Sequence, residues 1–145
     1  MKKYVQDVMT REVETVAPDT SLKDAAERMR ALNVGSLPVV QGGKLVGIIT
    51  DRDIVVRSVA LGMDPNSTRV SQAMTSDVET VFQDEDLDVA IRKMREEQIR
   101  RILVVDRGSG KLAGIIALGD LAENIDEKAA GKTLERISEP PHSIH

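Results

Sequence analysis

Leu22, Ala25, Ala26 and Met29 recur at three- and four-residue spacing, the apolar stripe of an amphipathic helix. Ser21 stands just before the stripe with Asp24 three positions on, much as in a capping box, so the helix is expected to start there. Ahead of it, residues 13–16 read as a short extended piece that Pro18 interrupts. Behind it the period changes: residues 37–41 and 44–50 are β-rich runs on either side of Gly42-Gly43, a hairpin signal. Residues 51–61 then predict another helix, so the order is strand, helix, strand, strand, helix.

The same order returns further along the chain. Met9-Thr10 and Val13-Glu14-Thr15-Val16 reappear as Met74-Thr75 and Val78-Glu79-Thr80-Val81, an offset of 65 that persists through Leu22 and Leu87, Met29 and Met94, and Val39 and Val104. From Gly47-Ile48-Ile49 and Asp53 to Gly114-Ile115-Ile116 and Asp120 the offset is 67. The two extra residues fall where Gln41-Gly42-Gly43 becomes Asp106-Arg107-Gly108-Ser109-Gly110, and a glycine-bearing turn is where duplicated structure tolerates insertion. Residues 8–61 form the first repeat, 62–72 with the Asp64-Pro65-Asn66 turn a linker, 73–125 the second repeat, and 126–145 a tail that carries a short helix over 127–137.

A unit of roughly 50 to 60 residues buries a modest fraction of its surface, and a small sheet with helices on one side leaves apolar area uncovered. Two copies cover each other. The expected fold class is therefore mixed α and β (α+β or α/β), two βαββα repeats packed through their sheets with pseudo-two-fold symmetry. Matching clefts are expected between the halves, where strand ends and helix N-termini converge.

Composition narrows the function classes. The chain has 145 residues, 41% hydrophobic but only 1% Phe, Trp or Tyr, namely Tyr4 and Phe82, so aliphatic packing carries the core. A net charge of −4 disfavours nucleic acid and anionic membrane, and two rings provide poorly for base stacking. Zero cysteines removes disulfides, thiol nucleophiles and zinc-thiolate sites. No run of eighteen apolar residues and no secretory signal is present, which reads as a soluble cytoplasmic protein. Neither repeat contains a histidine or a serine in a Gly-x-Ser-x-Gly setting, and nothing pairs the carboxylates specifically, so an enzyme is not expected.

Met-Thr, Val-x-Thr-Val, a helix, a Leu-Pro-Val-Val strand, Gly-Ile-Ile-Thr and then an aspartate resemble the CBS domain, and two such repeats in tandem resemble a Bateman module over roughly residues 8–125. Thr50-Asp51-Arg52-Asp53-Ile54-Val55, Gly62-Met63-Asp64-Pro65 and Ala117-Leu118-Gly119-Asp120-Leu121-Ala122 are similar to small stand-alone bacterial CBS-pair proteins. The resemblance implies a regulatory, energy-sensing module. It implies an adenine nucleotide (AMP, ADP or ATP) bound as a regulatory ligand in the cleft between repeats, with no catalytic cofactor. It also implies a flat homodimer and a separate effector protein that reads its state. S-adenosylmethionine or NAD(H) as ligand is the alternative, and a nucleic-acid binder or a ligand-free structural dimer are the rivals of other classes.

Within this resemblance Thr50-x-x-Asp53 carries most weight, at the end of a strand and the start of a helix. A carboxylate there can accept hydrogen bonds from both ribose hydroxyls and a threonine can serve sugar or phosphate. The same spacing is also a plain capping box, and both readings stand. In the second copy Asp120 remains while Ala117 replaces the threonine, which predicts loss of the cap there and two unequal sites. By resemblance, Arg100 and Arg101 meet phosphate where the first copy has the small Gly35 and Ser36, which admit adenine; an arginine pair guarding a strand edge is the plainer reading. Arg52 is a further phosphate candidate or the partner of a neighbouring aspartate, and Val16 and Val81 would offer backbone groups to the base.

Other signals lead nowhere by sequence. Gly108-Ser109-Gly110-Lys111 lies between two strands and reads as a hairpin, and Gly131-Lys132-Thr133 has Asp126 where a phosphate loop needs its first glycine. Met9, Met29, Met74 and Met94 recur at matched positions and are expected in the core. His142 and His145 lie in the tail, and Asp84, Glu85, Asp86 and Asp88 are expected as charges at a helix N-terminus.

Overall fold

The computed structural model describes residues 2–122, so the expected helix over 127–137, the tail and both histidines lie outside the described residues. The described residues divide into two compact units: residues 14–78, and residues 2–13 together with 79–122.

In the unit of residues 14–78, helix α2 (Leu22–Leu32) buries Leu22, Ala25 and Met29, the stripe read from the spacing. Ser21 is its N-cap and its side chain accepts from the backbone N–H of Asp24 at 3.1 Å. That is one half of a capping box only. Strands β1 (Ser36–Gln41) and β2 (Lys44–Thr50) pair antiparallel from Ser36 opposite Thr50 to Gln41 opposite Lys44. Gly42 and Gly43 take φ of +60° and +81°, the two positive angles that a tight hairpin turn requires.

The extended piece expected at 13–16 shrinks to one parallel bridge, Val16 to Val39. The reason is Pro18, which has no N–H to continue the ladder. At the matched place in the other unit stands Gln83, whose N–H donates to the Val105 carbonyl at 3.1 Å, and there a true strand, β3 (Thr80–Phe82), forms.

The helix expected over 51–61 is two pieces, α3 (Asp51–Arg57) and a 3-10 turn (Val59–Leu61). Ser58 breaks them at φ −128° and ψ −66°. Val55, Val56, Val59 and Leu61 stand 47–72% exposed, so no buried face holds these mostly β-branched residues in one helix. Residues 62–72 are no loose linker. Thr68 and Val70 are buried, Leu22 N–H donates to the Thr68 carbonyl, and Val70 N–H donates to the Thr20 carbonyl at 2.8 Å. Helix α4 (Val70–Ala73) follows, and Thr75 then pairs with Ile48 on the edge of β2.

The other unit repeats the plan. Its sheet has the order β3, β4 (Arg101–Val105), β5 (Leu112–Ala117), with β3 parallel and β5 antiparallel to β4. Helix α5 (Leu87–Glu97) buries Leu87, Ala90, Ile91 and Met94, and α6 (Leu118–Ala122) follows β5. Helix α1 (Val5–Val8) and Thr10, which pairs with Ile115, belong to this unit. Met9, Met29 and Met94 are buried and Met74 packs on the core of its unit, as expected. The acidic run divides: Asp86 stands at the N-cap position of α5 without a side-chain bond to the helix and pairs with Lys2, and Asp88 lies in the first turn, whereas Asp84 pairs with Arg107 and Glu85 accepts from the N–H of Phe82.

The repeats as read along the sequence and the compact units are thus offset. Each unit takes the short helix and Met-Thr pair that precede the other repeat in the chain.

Candidate functional site

At the end of β2 the chain turns directly into α3, and the turn is fixed by reciprocal bonds. The Thr50 hydroxyl accepts from the Asp53 N–H at 2.9 Å, and the Asp53 carboxylate accepts from the Thr50 N–H at 3.0 Å. The capping box is therefore real. Asp53 does more than cap, however: it is buried at 7% exposure, and the Thr75 hydroxyl lies 3.3 and 3.4 Å from its two oxygens. The Arg57 Nε stands 4.0 Å away, while its guanidinium donates to the Met74 carbonyl at 3.1 Å.

Thr75 reaches this position because β2 has no side chain at Gly47. A Cβ there would come within 2.7 Å of the Thr75 carbonyl. Thr75 was not among the residues expected from the Thr50-x-x-Asp53 spacing. Its signal was the Met-Thr pair that heads both repeats.

Gly35 and Ser36 come to the same end of the hairpin. Ser36 is the register partner of Thr50, and the Gly35 carbonyl accepts from the Asp51 N–H at 2.9 Å. A Cβ at Gly35 would meet the Asp51 carboxylate at 3.2 Å, so a small residue is what lets this loop lie against the start of α3. Arg52 is exposed and makes no ion pair among the described residues, so the alternative reading, a pair with Asp51 or Asp53, is not what the structure has.

Val16 does not join this group. It lies opposite Val39, three residues up β1 from Ser36, roughly 10 Å at strand spacing. Its N–H donates to the Pro38 carbonyl and its carbonyl accepts from the Val40 N–H, so both backbone groups are used within the sheet. Val81 likewise sits mid-strand opposite Val104, buried at 1% exposure. Val16 therefore supplies no unpaired backbone group for a base.

In the other unit the same turn recurs. The Leu118 N–H donates to the Arg100 carbonyl at 3.0 Å, Arg101 is the register partner of Ala117, and both arginines are exposed. The Asp120 carboxylate accepts from the Ala117 N–H at 2.9 Å. The expected loss of the cap at Ala117 is thus only half a loss, because the carboxylate's own part needs no hydroxyl from the partner residue. Among the described residues no group of three or more histidines or carboxylates could hold a metal, and no helix is long and apolar enough to cross a membrane.

Comparison with known proteins places these turns in a family. The CBS domain profile matches residues 5–59 and again 70–127. A CBS domain-containing protein of Bacillus subtilis, YhcV, is 42% identical over 135 residues, 92% of this chain and 94% of its own length. Among solved structures, CBSX2 in complex with AMP superposes with a TM-score of 0.71 at 30% identity, covering 92% of this chain and 98% of that one. The CBS domain pair of protein MJ0100, in complex with 5′-methylthioadenosine and S-adenosyl-L-methionine, gives a TM-score of 0.66 at 31% identity over 85% of this chain and 95% of that one. With the CBS match falling on both copies of the repeat, and with relatives that align end to end, this chain belongs to the CBS domain family and carries the domain as a pair.

Proposed function

We propose that this CBS pair is a regulatory rather than a catalytic module, and that the Thr50 end of the β1–β2 hairpin grips the ribose of an adenine nucleotide, AMP, ADP or ATP. The observation that carries this reading is the Asp53 carboxylate. It is nearly buried, yet its hydrogen bonds are one N–H and one hydroxyl, from Thr50 and Thr75, with Arg57 only at the long ion-pair distance of 4.0 Å, where an ionised carboxylate has about four acceptor sites. A ribose diol can take the remainder. The small Gly35 and Ser36 bring the loop close against the start of α3 without a bulky side chain between it and a base, and Arg52, which makes no ion pair among the described residues, is a cation for phosphate. Arg100, Arg101 and Asp120 give the second unit a weaker version of the same end. That the solved relatives hold AMP, 5′-methylthioadenosine and S-adenosylmethionine supports adenosine as the shared chemistry.

Such a module acts through differential affinity: the ligand favours one state and an effector protein reads it. The exposed apolar strip of Val55, Val56, Val59 and Leu61 supports a homodimer as the regulated form.

Thermal unfolding with AMP, ADP, ATP, S-adenosylmethionine and NADH tests the reading, since a ligand at about 100 times its Kd adds roughly 2.7 kcal/mol. Asp53→Asn keeps a carbonyl for the cap but loses the charge. It is expected to remove most of the ligand-dependent shift, and Asp53→Ala to lower basal stability by about 1–2 kcal/mol besides, because the Thr50 and Thr75 partners are stranded. Asp53→Asn with an undiminished shift would reduce this carboxylate to a helix cap.

A further inference from the structure

The opposite end of the same hairpin holds a cavity that the nucleotide reading does not use. It measures about 540 Å³ and lies among Val16, Ala17, Thr20, the α2 residues Asp24 and Arg28, and the Gly42-Gly43 turn. From Thr50 to this turn is about 17 Å at strand spacing, so the two places are distinct.

The repeat explains why the cavity exists. Ala17 and Phe82 are matched positions at the offset of 65, and the two turns they begin are built alike. The Thr20 hydroxyl accepts from the Ala17 N–H at 3.2 Å, and the Glu85 carboxylate accepts from the Phe82 N–H at 2.9 Å. In one unit that turn carries a phenyl ring, with the Arg107 guanidinium stacked 4.2 Å above it. In the other it carries a methyl group, and the shorter Gly42-Gly43 turn has no side chain to cover it. Where one unit supplies its own ring, the other leaves room for one. The chain's only other phenyl-type ring, Tyr4, sits in the unit that already has Phe82, so such a ring for this place comes from outside the unit.

The walls say what the ring should carry. Asp24 and Arg28 stand one turn apart on α2, the spacing at which such residues usually pair. They do not pair here: the Arg28 guanidinium donates to the Thr15 carbonyl and lies 3.9 Å from Glu14, and the Asp24 carboxylate has no ion pair among the described residues. In the second unit the position of Asp24 is Val89, so the carboxylate belongs to the open cavity alone, whereas Lys93 stands in the place of Arg28 and makes the same two contacts, to the Thr80 carbonyl and to Glu79. We propose that the cavity binds an aromatic α-amino acid, its ring in the place that Ala17 leaves, its ammonium at Asp24 and its carboxylate at Arg28.

Amide chemical-shift mapping on the full chain tests this with L-phenylalanine, phenethylamine, phenylacetate and L-leucine, each to about 10 mM, a range that detects binding of only a few kcal/mol. L-Phenylalanine should shift Ala17, Thr20, Gly42 and Gly43 and leave Thr50, Asp53 and Thr75 still, with L-leucine at least tenfold weaker. Ala17→Phe should fill the place itself, abolish those shifts and leave the AMP response intact. Asp24→Asn should weaken L-phenylalanine and phenethylamine at least tenfold but spare phenylacetate. No shift at these residues with any ring-bearing probe, equal binding of L-leucine, or full binding by Ala17→Phe or by Asp24→Asn would overturn the proposal. Because AMP is read separately at Thr50 and Asp53, failure here leaves the nucleotide reading standing, and the converse holds.

Discussion

A missing side chain can position a functional one. Gly47 and Gly114 occupy matched places on β2 and β5, and a Cβ on either would lie 2.7 Å from the Thr75 carbonyl or 2.6 Å from that of Thr10. Backbone cannot swing aside as a long side chain can, so Gly47→Ala is expected to push Thr75 off the edge of β2. Stability should fall by about 1–3 kcal/mol. The Thr75 hydroxyl would leave Asp53, so the adenosine-dependent shift should shrink with it. Gly119→Ala, whose Cβ would meet nothing within 4 Å, is the control expected to leave the urea midpoint and the ligand shift unchanged or slightly raised. A Gly47→Ala protein that keeps both would show that the close approach is dispensable. Thr50 and Asp53 were legible because their spacing is local. The bond of Asp53 to Thr75 was not, since a contact across 22 positions leaves no period in the sequence.

Turns explain more of the difference between the units than strands or helices do. Both long helices end in a left-handed cap at matched residues, Asn33 and Gln98, and both hairpins keep one register shift at the same place. The turns diverge: two inserted residues bring Arg107 over Phe82 and onto Asp84 at 3.1 Å, and Asp106 onto Ser109 and Gln83. The insertion was visible in the sequence, but its effect depended on which ring it would cover. These contacts leave a pH signature. The Arg107 hydrogen bond holds the Asp84 carboxyl below its ordinary 3.8, and bonds from Ser109 and Gln83 do the same for Asp106. Arg107 is raised in turn by Asp84, so the partners agree in direction. With folded values depressed, the unfolded chain binds protons first as pH falls. The stabilisation is complete above 3.8 and is lost as pH drops below it. Asp84 and Arg107 are exposed and Asp106 is only half-buried, so the effect is modest. Unfolding midpoints measured between about pH 5 and about pH 2 should fall less steeply for Asp84→Asn than for the natural chain. Parallel acid limbs would show that the Arg107 pair contributes nothing.

How the chain is shared between its two units is the feature least visible in its order. The repeats were recognised from matched residues and naturally divided where the linker composition changes, at 62–72, because covalent order is all that spacing displays. Sheet edges and helix ends are completed by whatever segment reaches them. Val5, fully buried, belongs to the core of Val81, Leu87, Met94 and Ile116; its N–H donates to the Glu85 carbonyl, and the Lys3 carbonyl accepts from Leu87. Val70, its match at the offset of 65, is buried among Val16, Leu22 and Ile49. Truncating either valine removes apolar surface from one core alone and should cost roughly 1–3 kcal/mol. Hydrogen exchange on the intact chain tells where the loss falls, at about tenfold faster exchange per 1.4 kcal/mol for amides that open with the affected unit. Val5→Ala is expected to speed exchange within 79–122, more than seventy residues away in sequence, and to leave 14–61 as it was. Val70→Ala should do the reverse, loosening 14–61, the repeat that precedes it. If each truncation instead loosened the repeat it introduces in the chain, the units would follow covalent order and the exchange of leading segments would be wrong.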